Sequence, residues 1–312
     1  MNVKDLLDPE LRPVLDSFEM PAIDAAGIAA MREASFQMPG LSDAVVRTDR
    51  LATGDPDVPV RIHRAQDAAG LLPAIISFHG GGYVLGSYDL DDPLFDRWCP
   101  SLGVVGISVD YRLAPETTYP GPLEDCYTAL QWAYARAEEL GIDRNRIGIN
   151  GLSAGGGLAA ALALLARDRG EVPIAFQLLD CPMLDDRQTT PSIKADDLYV
   201  WTAASNDFAW RAYLGELYGS ADVPAYAAPA RAGDLTNLPS TCIVVGSIDG
   251  FRDEDIAYAQ RLNQAGVACE LHVIAGLPHA YLLVPEAAAV QAATRCKDDW
   301  LARQLAQLAS AD

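Results

Sequence analysis

Short, almost continuously apolar runs recur along most of this chain, with helical stretches between them. Strands of a parallel sheet are covered by helices on both faces, so they are apolar on both sides rather than alternating. The alternation therefore predicts an α/β fold in which a mostly parallel sheet is flanked by helices. The runs occupy residues 72–80, 103–111, 146–153, 172–180, 240–247 and 268–276.

Two alternating segments, 44–52 and 58–65, precede these runs, and Gly54, Asp55 and Pro56 lie between them. The alternation and the turn residues predict an antiparallel pair of strands. Among the helices, residues 122–141 have apolar residues at helical spacing and end at Gly141, which we expect to be a C-cap. The helix that begins at residue 154 is almost wholly apolar, so we expect it to be buried near the sheet.

Two segments interrupt this α/β pattern and predict a helical cap. The amino-terminal segment, residues 1–44, has helical patterning over residues 1–40, and residues 184–222 contain five aromatic residues but no strand pattern. Insertions at the carboxyl edge of such sheets lie where ligands bind, so we expect these two segments to cap a core formed by residues 45–183 and 223–312. Ordinary packing explains any single aromatic side chain equally well. The aromatic residues are Tyr199, Trp201, Phe208, Trp210 and Tyr213.

A Gly-x-Ser-x-Gly motif, Gly151–Gly155, lies between an apolar strand and an apolar helix. In this strand–turn–helix setting the small residues permit a turn so sharp that the serine hydroxyl stands clear of the sheet. The amino end of the following helix also stabilises developing negative charge. The motif therefore predicts that Ser153 is a catalytic nucleophile, against the alternative of a bystander serine in a glycine-rich turn.

Three consecutive glycines follow His79 at the end of an earlier apolar run. An acyl-transfer enzyme needs backbone N–H groups near the reacting oxygen, and we expect Gly81, Gly82 and Ala154 to provide this oxyanion hole. Phosphate binding is the competing interpretation, but neither a Walker lysine nor Gly-x-Gly-x-x-Gly is present. We expect His79 to hold the loop rather than to act as the base.

A serine nucleophile needs a histidine base and an acid that orients it, and in this fold the chain order is Ser, acid, His. Two histidines follow Ser153. His272 lies within an alternating strand, whereas His279 lies in the loop after that strand and can reach over the edge of the sheet. We therefore predict that His279 is the catalytic base.

The acid has several candidates after the nucleophile. Asp249 lies just past the apolar run 240–247, where the geometry requires it. Asp180 lies within a predicted strand. The acids at 253–255 begin a helix, where negative charges normally stabilise the helix through its dipole. We predict Asp249 as the orienting acid.

The charge of the chain excludes some functions: 23 lysines and arginines oppose 43 acids, for a formal net charge of −20. Such a surface repels nucleic acid and anionic lipid, so we expect a small-molecule ester as the partner. Six isolated cysteines and four scattered histidines show no metal-ligand spacing, which predicts no metal and no cofactor. The amino-terminal segment lacks an apolar signal region, so we expect a reduced, cytoplasmic protein.

Five motifs, in order, resemble those of the hormone-sensitive-lipase-like carboxylesterases, the α/β-hydrolase-3 group of bacterial type. The resemblance extends from about residue 45 to 285 and includes parts of the predicted cap. It implies an α/β-hydrolase fold whose eight-stranded sheet has only its second strand antiparallel, and a cap formed by the amino-terminal segment and the insertion. It also implies the triad Ser153–His279–Asp249 and the same oxyanion hole. The motifs are His79–Tyr83, Asp110–Glu116, Gly151–Gly156, Ile248–Glu254 and Pro278–Tyr281.

The chain departs from the family pattern at two places. Most members have Asp where this chain has Leu152, and many have Pro-Leu where it has Gly250 and Phe251. Neither change affects the reacting groups, so we expect them to alter substrate range.

We predict a carboxylesterase for short-to-medium acyl esters, which binds substrate with Tyr83, Leu152, Trp201 and Tyr281. The alternatives are an amidase or peptidase on the same fold and a non-catalytic ligand receptor. A homodimer is a further expectation.

Overall fold

Eight strands form one sheet in the computed structural model, which describes residues 3–18, 23–33 and 41–310. Their spatial order is β1-β2-β4-β3-β5-β6-β7-β8. The strands are β1 (Val45–Ala52), β2 (Val58–Ala65), β3 (Leu72–Phe78), β4 (Val105–Val109), β5 (Ile142–Leu152), β6 (Phe176–Asp180), β7 (Ser240–Gly246) and β8 (Cys269–Ile274).

The strand β2 is antiparallel to both of its neighbours, β1 and β4, and the other pairs are parallel. The predicted α/β-hydrolase sheet, with its second strand reversed, is thus confirmed. The parallel register aligns the carboxyl ends of the strands at one edge: Phe78 pairs with Gly151, and Leu152 pairs with Asp180. This edge is where the predicted catalytic loops begin.

Eight α-helices of the described residues connect and cover these strands. The predicted C-cap at Gly141 is wrong: the helix ends at Ala135, and Gly141 instead adopts φ +68° in the turn that leads into β5. The helices are α1 (Arg12–Leu15), α2 (Ala25–Glu33), α3 (Asp92–Leu102), α4 (Gly121–Ala135), α5 (Ala154–Arg169), α6 (Ala203–Leu214), α7 (Arg252–Gln264) and α8 (Ala288–Ala309).

The helix α5 lies buried against the sheet, as its composition predicts. Its side chains from Ala154 to Ala166 are all buried, so this one element fills much of the core on its face of the sheet. Glycines permit the close approach, since a Cβ on Gly155 would clash with the backbone carbonyl of Phe78 at the end of β3. The amino end of α5 is thereby held beside the loop that follows β3.

The amino-terminal segment and the insertion contact each other. The hydroxyl of Tyr199 donates to Asp16 Oδ1 at 3.0 Å, and Leu11 and Leu15 pack in the same apolar cluster as Tyr199. Within the insertion, α6 is the helix, and residues 184–202 form turns. The predicted helical patterning at residues 34–40 lies outside the described residues. Nowhere in the ranges that the structure describes is a helix both long and apolar enough to cross a membrane.

Candidate active site

Ser153 occupies a tight turn between β5 and α5 and has φ 56° and ψ −118°. This conformation is strained for a residue with a side chain, and such strain is characteristic of functional sites. The turn is fixed on both sides, because the Ser153 amide donates to the Asp180 carbonyl at 2.8 Å and its carbonyl accepts from the Met183 amide at 2.9 Å. A Cβ on Gly151 would meet the backbone of Gly155, so the turn requires its glycines.

Three side chains form a continuous hydrogen-bonded chain above the carboxyl edge of the sheet. Ser153 Oγ lies 2.9 Å from His279 Nε2, and His279 Nδ1 lies 2.8 Å from Asp249 Oδ2. The Phe251 amide donates to the other oxygen of Asp249 at 2.9 Å. Because Asp249 accepts from Nδ1–H, Nε2 is left as the acceptor for the serine hydroxyl, which is the tautomer that a general base needs.

The triad is almost wholly enclosed by protein. Ser153, Asp249 and His279 are 4%, 1% and 6% exposed. The Phe251 ring packs edge-on against the imidazole, with centroids 5.0 Å apart. Electrostatic interactions are stronger in such a low-dielectric site than in water, so an imidazolium formed during reaction is stabilised by Asp249.

The competing histidine and acid of the sequence lie elsewhere. His272 is on β8, and its Nε2 lies 2.7 Å from Glu270 on the same strand. Asp180 is the last residue of β6 and bonds to Tyr281 and Lys297 rather than to a histidine. Of the candidates, the structure therefore brings His279 and Asp249 to Ser153.

The triple-glycine loop runs beside the nucleophile. A Cβ on Gly80 would lie 3.5 Å from Ser153 Cβ, and Gly81 and Gly82 adopt positive φ angles of 118° and 62°. Within the described residues, no backbone carbonyl or side chain accepts a hydrogen bond from the amides of Gly81, Gly82 or Ala154. These amides are available to a ligand, as an oxyanion hole requires.

His79 lies behind this loop and is completely buried. Its Nδ1 donates to the Gly80 carbonyl at 2.8 Å, and its ring stacks on Tyr111 with centroids 4.2 Å apart. Burial lowers the pKa of His79 to about 4, so the imidazole is neutral near pH 7. The side chain therefore fixes the shape of the loop and lies apart from the triad hydrogen bonds.

Trp201 and Leu152 are the predicted substrate-binding residues that lie at the site. The Trp201 ring is 6.3 Å from the His279 ring, and a Cβ on Gly82 would lie 2.8 Å from Trp201 Cζ2. Leu152 Cγ would be 3.4 Å from a Cβ on Gly80. Both apolar side chains thus border the glycine loop.

Tyr83 and Tyr281, also predicted to bind substrate, are buried in the core at 1% exposure. The Tyr83 ring stacks on Tyr213 with centroids 4.0 Å apart, and its hydroxyl donates to the Met183 carbonyl. The Tyr281 hydroxyl donates to Asp180 at 2.6 Å. Each tyrosine is the last residue of its motif, but both side chains point into the core.

Sequence reasoning missed the contacts that Phe251 and Cys181 make with the triad. The Cys181 thiol and donor atoms of Asp249 and His279 lie within 4.8 Å of one another, the one such group found in the described ranges that could hold a metal ion. Burial raises the pKa of Cys181 well above its usual range, which disfavours a thiolate ligand. Two of these donors are already engaged in the triad, so the group fits acid–base chemistry better than metal binding.

Comparisons with known proteins agree with this geometry. A family model described as "alpha/beta hydrolase fold" matches residues 75–283. Esterase LipI of Mycobacterium tuberculosis is 37% identical over 93% of this chain and 92% of its own length. The chain belongs to the hormone-sensitive-lipase-like group of the α/β-hydrolase family. Carboxylesterase NlhH of the same species is 35% identical over 90% of this chain and 92% of its own.

A solved structure titled bacterial heroin esterase superimposes with a TM-score of 0.90 at 41% identity, covering 96% of this chain and 98% of that one. The predicted family and reaction class, ester hydrolysis through a Ser–His–Asp triad, are thereby confirmed.

Proposed function

We propose that this protein is a serine carboxylesterase that hydrolyses small esters of short-to-medium-chain acids. The observation that carries the proposal is the unbroken chain from Ser153 Oγ through His279 to Asp249, with links of 2.9 and 2.8 Å. The Ser153 end of this hydrogen-bonded series lies beside the backbone amides of the glycine loop. In the described residues, no other protein group accepts a hydrogen bond from these amides. A nucleophile, a base, an orienting acid and an oxyanion hole together are what acyl transfer requires.

In the first half of the reaction, His279 Nε2 takes the Ser153 proton as Oγ attacks the ester carbonyl. The carbonyl oxygen becomes an oxyanion, and the amides of Gly81, Gly82 and Ala154 stabilise it. The imidazolium then protonates the leaving alcohol, which departs and leaves an acyl group on Ser153.

In the second half, water replaces the alcohol. His279 removes a proton from the water as it attacks the acyl-enzyme, and the same amides stabilise the second oxyanion. His279 returns the proton to Ser153 Oγ as the acid is released. Asp249 stabilises the imidazolium in both halves but stays ionised itself.

The walls of the site support a limit on acyl length. Trp201 packs onto Gly82, so its indole occupies space directly next to the oxyanion loop. Its Nε1 donates to Asn206 at 3.1 Å, which fixes the ring in this position. Leu152 borders the same loop where most relatives are expected to have Asp. Two apolar side chains this close to the oxyanion loop favour short-to-medium acyl chains.

The cap and the cellular setting are further parts of the proposal. Residues 1–44 and 184–222 cap the core, supported by the Tyr199–Asp16 hydrogen bond between them. The six cysteines are free thiols, which suits a reduced cytoplasm. We also infer that nucleic acid and membranes are not partners, given the net charge of −20.

Hydrolysis of p-nitrophenyl esters by the wild type and by Ser153→Ala tests the proposal. We expect the variant to lose about 10⁶-fold in kcat. Ser101→Ala, which removes an exposed serine on α3, is the matched control and keeps the wild-type rate. A Ser153→Ala rate within tenfold of wild type would contradict the mechanism.

The other functions considered for this fold are outcomes of the same experiment. Faster hydrolysis of p-nitroanilides than of the matching esters would indicate an amidase or peptidase. No hydrolysis of either series, with ester binding retained, would indicate a ligand receptor.

A further inference from the structure

We propose that Asp180, Tyr281 and Lys297 form a positioning unit that holds the His279 loop in register with the nucleophile turn. The inference rests on the proposed function, because it concerns how the same triad is kept aligned. These residues come from three different elements, β6, the loop after β8, and α8, and they meet behind the triad.

Asp180 is tied to the nucleophile through its backbone. Its carbonyl accepts from the Ser153 amide at 2.8 Å, and the next amide, that of Cys181, donates to the Val244 carbonyl on β7 at 2.7 Å. Any displacement of Asp180 is therefore passed to Ser153 through a single hydrogen bond.

The Asp180 side chain is tied to the loop that carries the base. Its Oδ1 accepts from the Tyr281 hydroxyl at 2.6 Å, and Tyr281 is two residues after His279. Between them, Ala280 adopts the left-handed region at φ 57°, which turns the two rings in different directions. The loop is thus fixed at His279 by Asp249 and at Tyr281 by Asp180.

Lys297 of α8 completes the unit. Its Nζ bonds to Asp180 Oδ2 and lies 3.2 Å from the Tyr281 hydroxyl. Asp180, Tyr281 and Lys297 are 5%, 1% and 3% exposed. A buried ion pair adds little net stability compared with apolar side chains of similar volume, because both charges lose their water. Stability alone therefore gives a poor account of this pair.

The charges around Asp180 explain why a cation is needed there. Asp249 acts electrostatically on the same buried region as Asp180, which also contains the Cys181 thiol and the Tyr281 hydroxyl. Burial raises the pKa of the neighbouring Asp255 carboxyl well above its usual range, which favours its neutral form. Lys297 brings a positive charge into this region through its bond to Asp180. The Lys297 ammonium pairs with the Asp180 carboxylate, and Asp249 is the acid that bonds to the imidazole.

The test measures kcat and KM of p-nitrophenyl ester hydrolysis, per active site titrated with a fluorophosphonate. Tyr281→Phe removes one hydroxyl and leaves the ion pair. We expect kcat to fall about tenfold or more, with KM within about twofold, because misplacement of a base by a fraction of an ångström is costly.

Two further variants separate charge from folding. In Lys297→Met, the buried Asp180 carboxyl loses its cation and its fixed position, so we expect kcat to fall about tenfold with KM within about twofold. The double variant Asp180→Asn/Lys297→Met removes both charges but keeps an acceptor for Tyr281, and it should return kcat to within about threefold of wild type. It also keeps the test decisive if the single lysine variant fails to fold.

Arg303→Met is the matched control, because it removes another α8 cation whose partner, Glu270, is more exposed. We expect this variant to keep the wild-type kcat and KM. The inference is overturned if Tyr281→Phe and Lys297→Met lower only the melting temperature and keep the wild-type kcat. That result, alongside an inactive Ser153→Ala, leaves the esterase function intact, whereas an active Ser153→Ala would refute the function itself.

Discussion

Replacement of Gly155 by alanine sets two physical effects against each other. Gly155 is the second residue of α5, and alanine is a better helix former than glycine by about 1 kcal/mol. The new Cβ, however, would lie 2.5 Å from the His79 carbonyl oxygen and would overlap that of Phe78. Both are backbone atoms, so no rotamer change relieves the clash, and overpacking of this kind costs up to about 3 kcal/mol.

The geometry therefore predicts a net loss of about 2 kcal/mol in the free energy of unfolding. Ordinary contact begins near 3.4 Å, so α5 and the end of β3 must separate by more than about 1 Å. That shift moves the Ala154 amide away from the glycine loop, and we expect kcat/KM to fall about a hundredfold.

Urea unfolding and ester kinetics on the same preparations check both values. Gly233→Ala is the matched control, because its Cβ meets nothing within 4 Å, and its free energy of unfolding should change by less than about 0.5 kcal/mol. A stability gain in Gly155→Ala with unchanged kcat/KM would refute the argument, since it would mean that helix propensity outweighs the close approach of α5 to β3.

Three further predictions test other parts of the site. Trp201→Ala should raise the kcat/KM ratio of octanoate to acetate p-nitrophenyl esters about tenfold by removing the indole beside Gly82; an unchanged ratio would contradict its role as a wall. Asp249→Asn should lower kcat about 10⁴-fold by stabilising the wrong imidazole tautomer, and steady-state kinetics with a rate within tenfold of wild type would argue against this. His79 has a folded pKa of about 4 against an ordinary value of 6.5, so the unfolded state binds more protons between these pH values. As the pH falls from 6.5 to 4, the free energy of unfolding of the wild type should therefore decrease by roughly 3 kcal/mol relative to that of His79→Gln, as measured by urea unfolding. The same pH dependence in both proteins would refute this prediction.

Much of the fold could be predicted because burial imposes the same apolar pattern on every central strand. β3 and β7 are buried at nearly every position, so their sequences show no polar face. The end of α4 could not be predicted, because the stop depends on the turn from Arg136 to Gly141 that aims the chain into β5. Glycine at a positive φ marks that turn but does not show where the helix before it ends.

The triad residues were predictable because each follows a strand and reaches the same sheet edge. The directions of the Tyr83 and Tyr281 side chains were not predictable. Left-handed backbone at Tyr83 and at Ala280 turns both rings into the core. Lys297 gave no signal either, because a lysine in an amphipathic helix is normally exposed. Its partner Asp180 is 117 residues away in sequence, and only the fold brings them together.

Covalent labelling by a fluorophosphonate tests the central claim most directly, because the reagent reports an activated serine rather than an exposed one. Intact-mass analysis and peptide mapping should show one adduct per chain, on Ser153, formed in step with the loss of ester hydrolysis. Labelling should be abolished in Ser153→Ala and strongly slowed in His279→Ala. Complete loss of hydrolysis with no adduct on Ser153, or with an adduct on a different serine, would contradict the account.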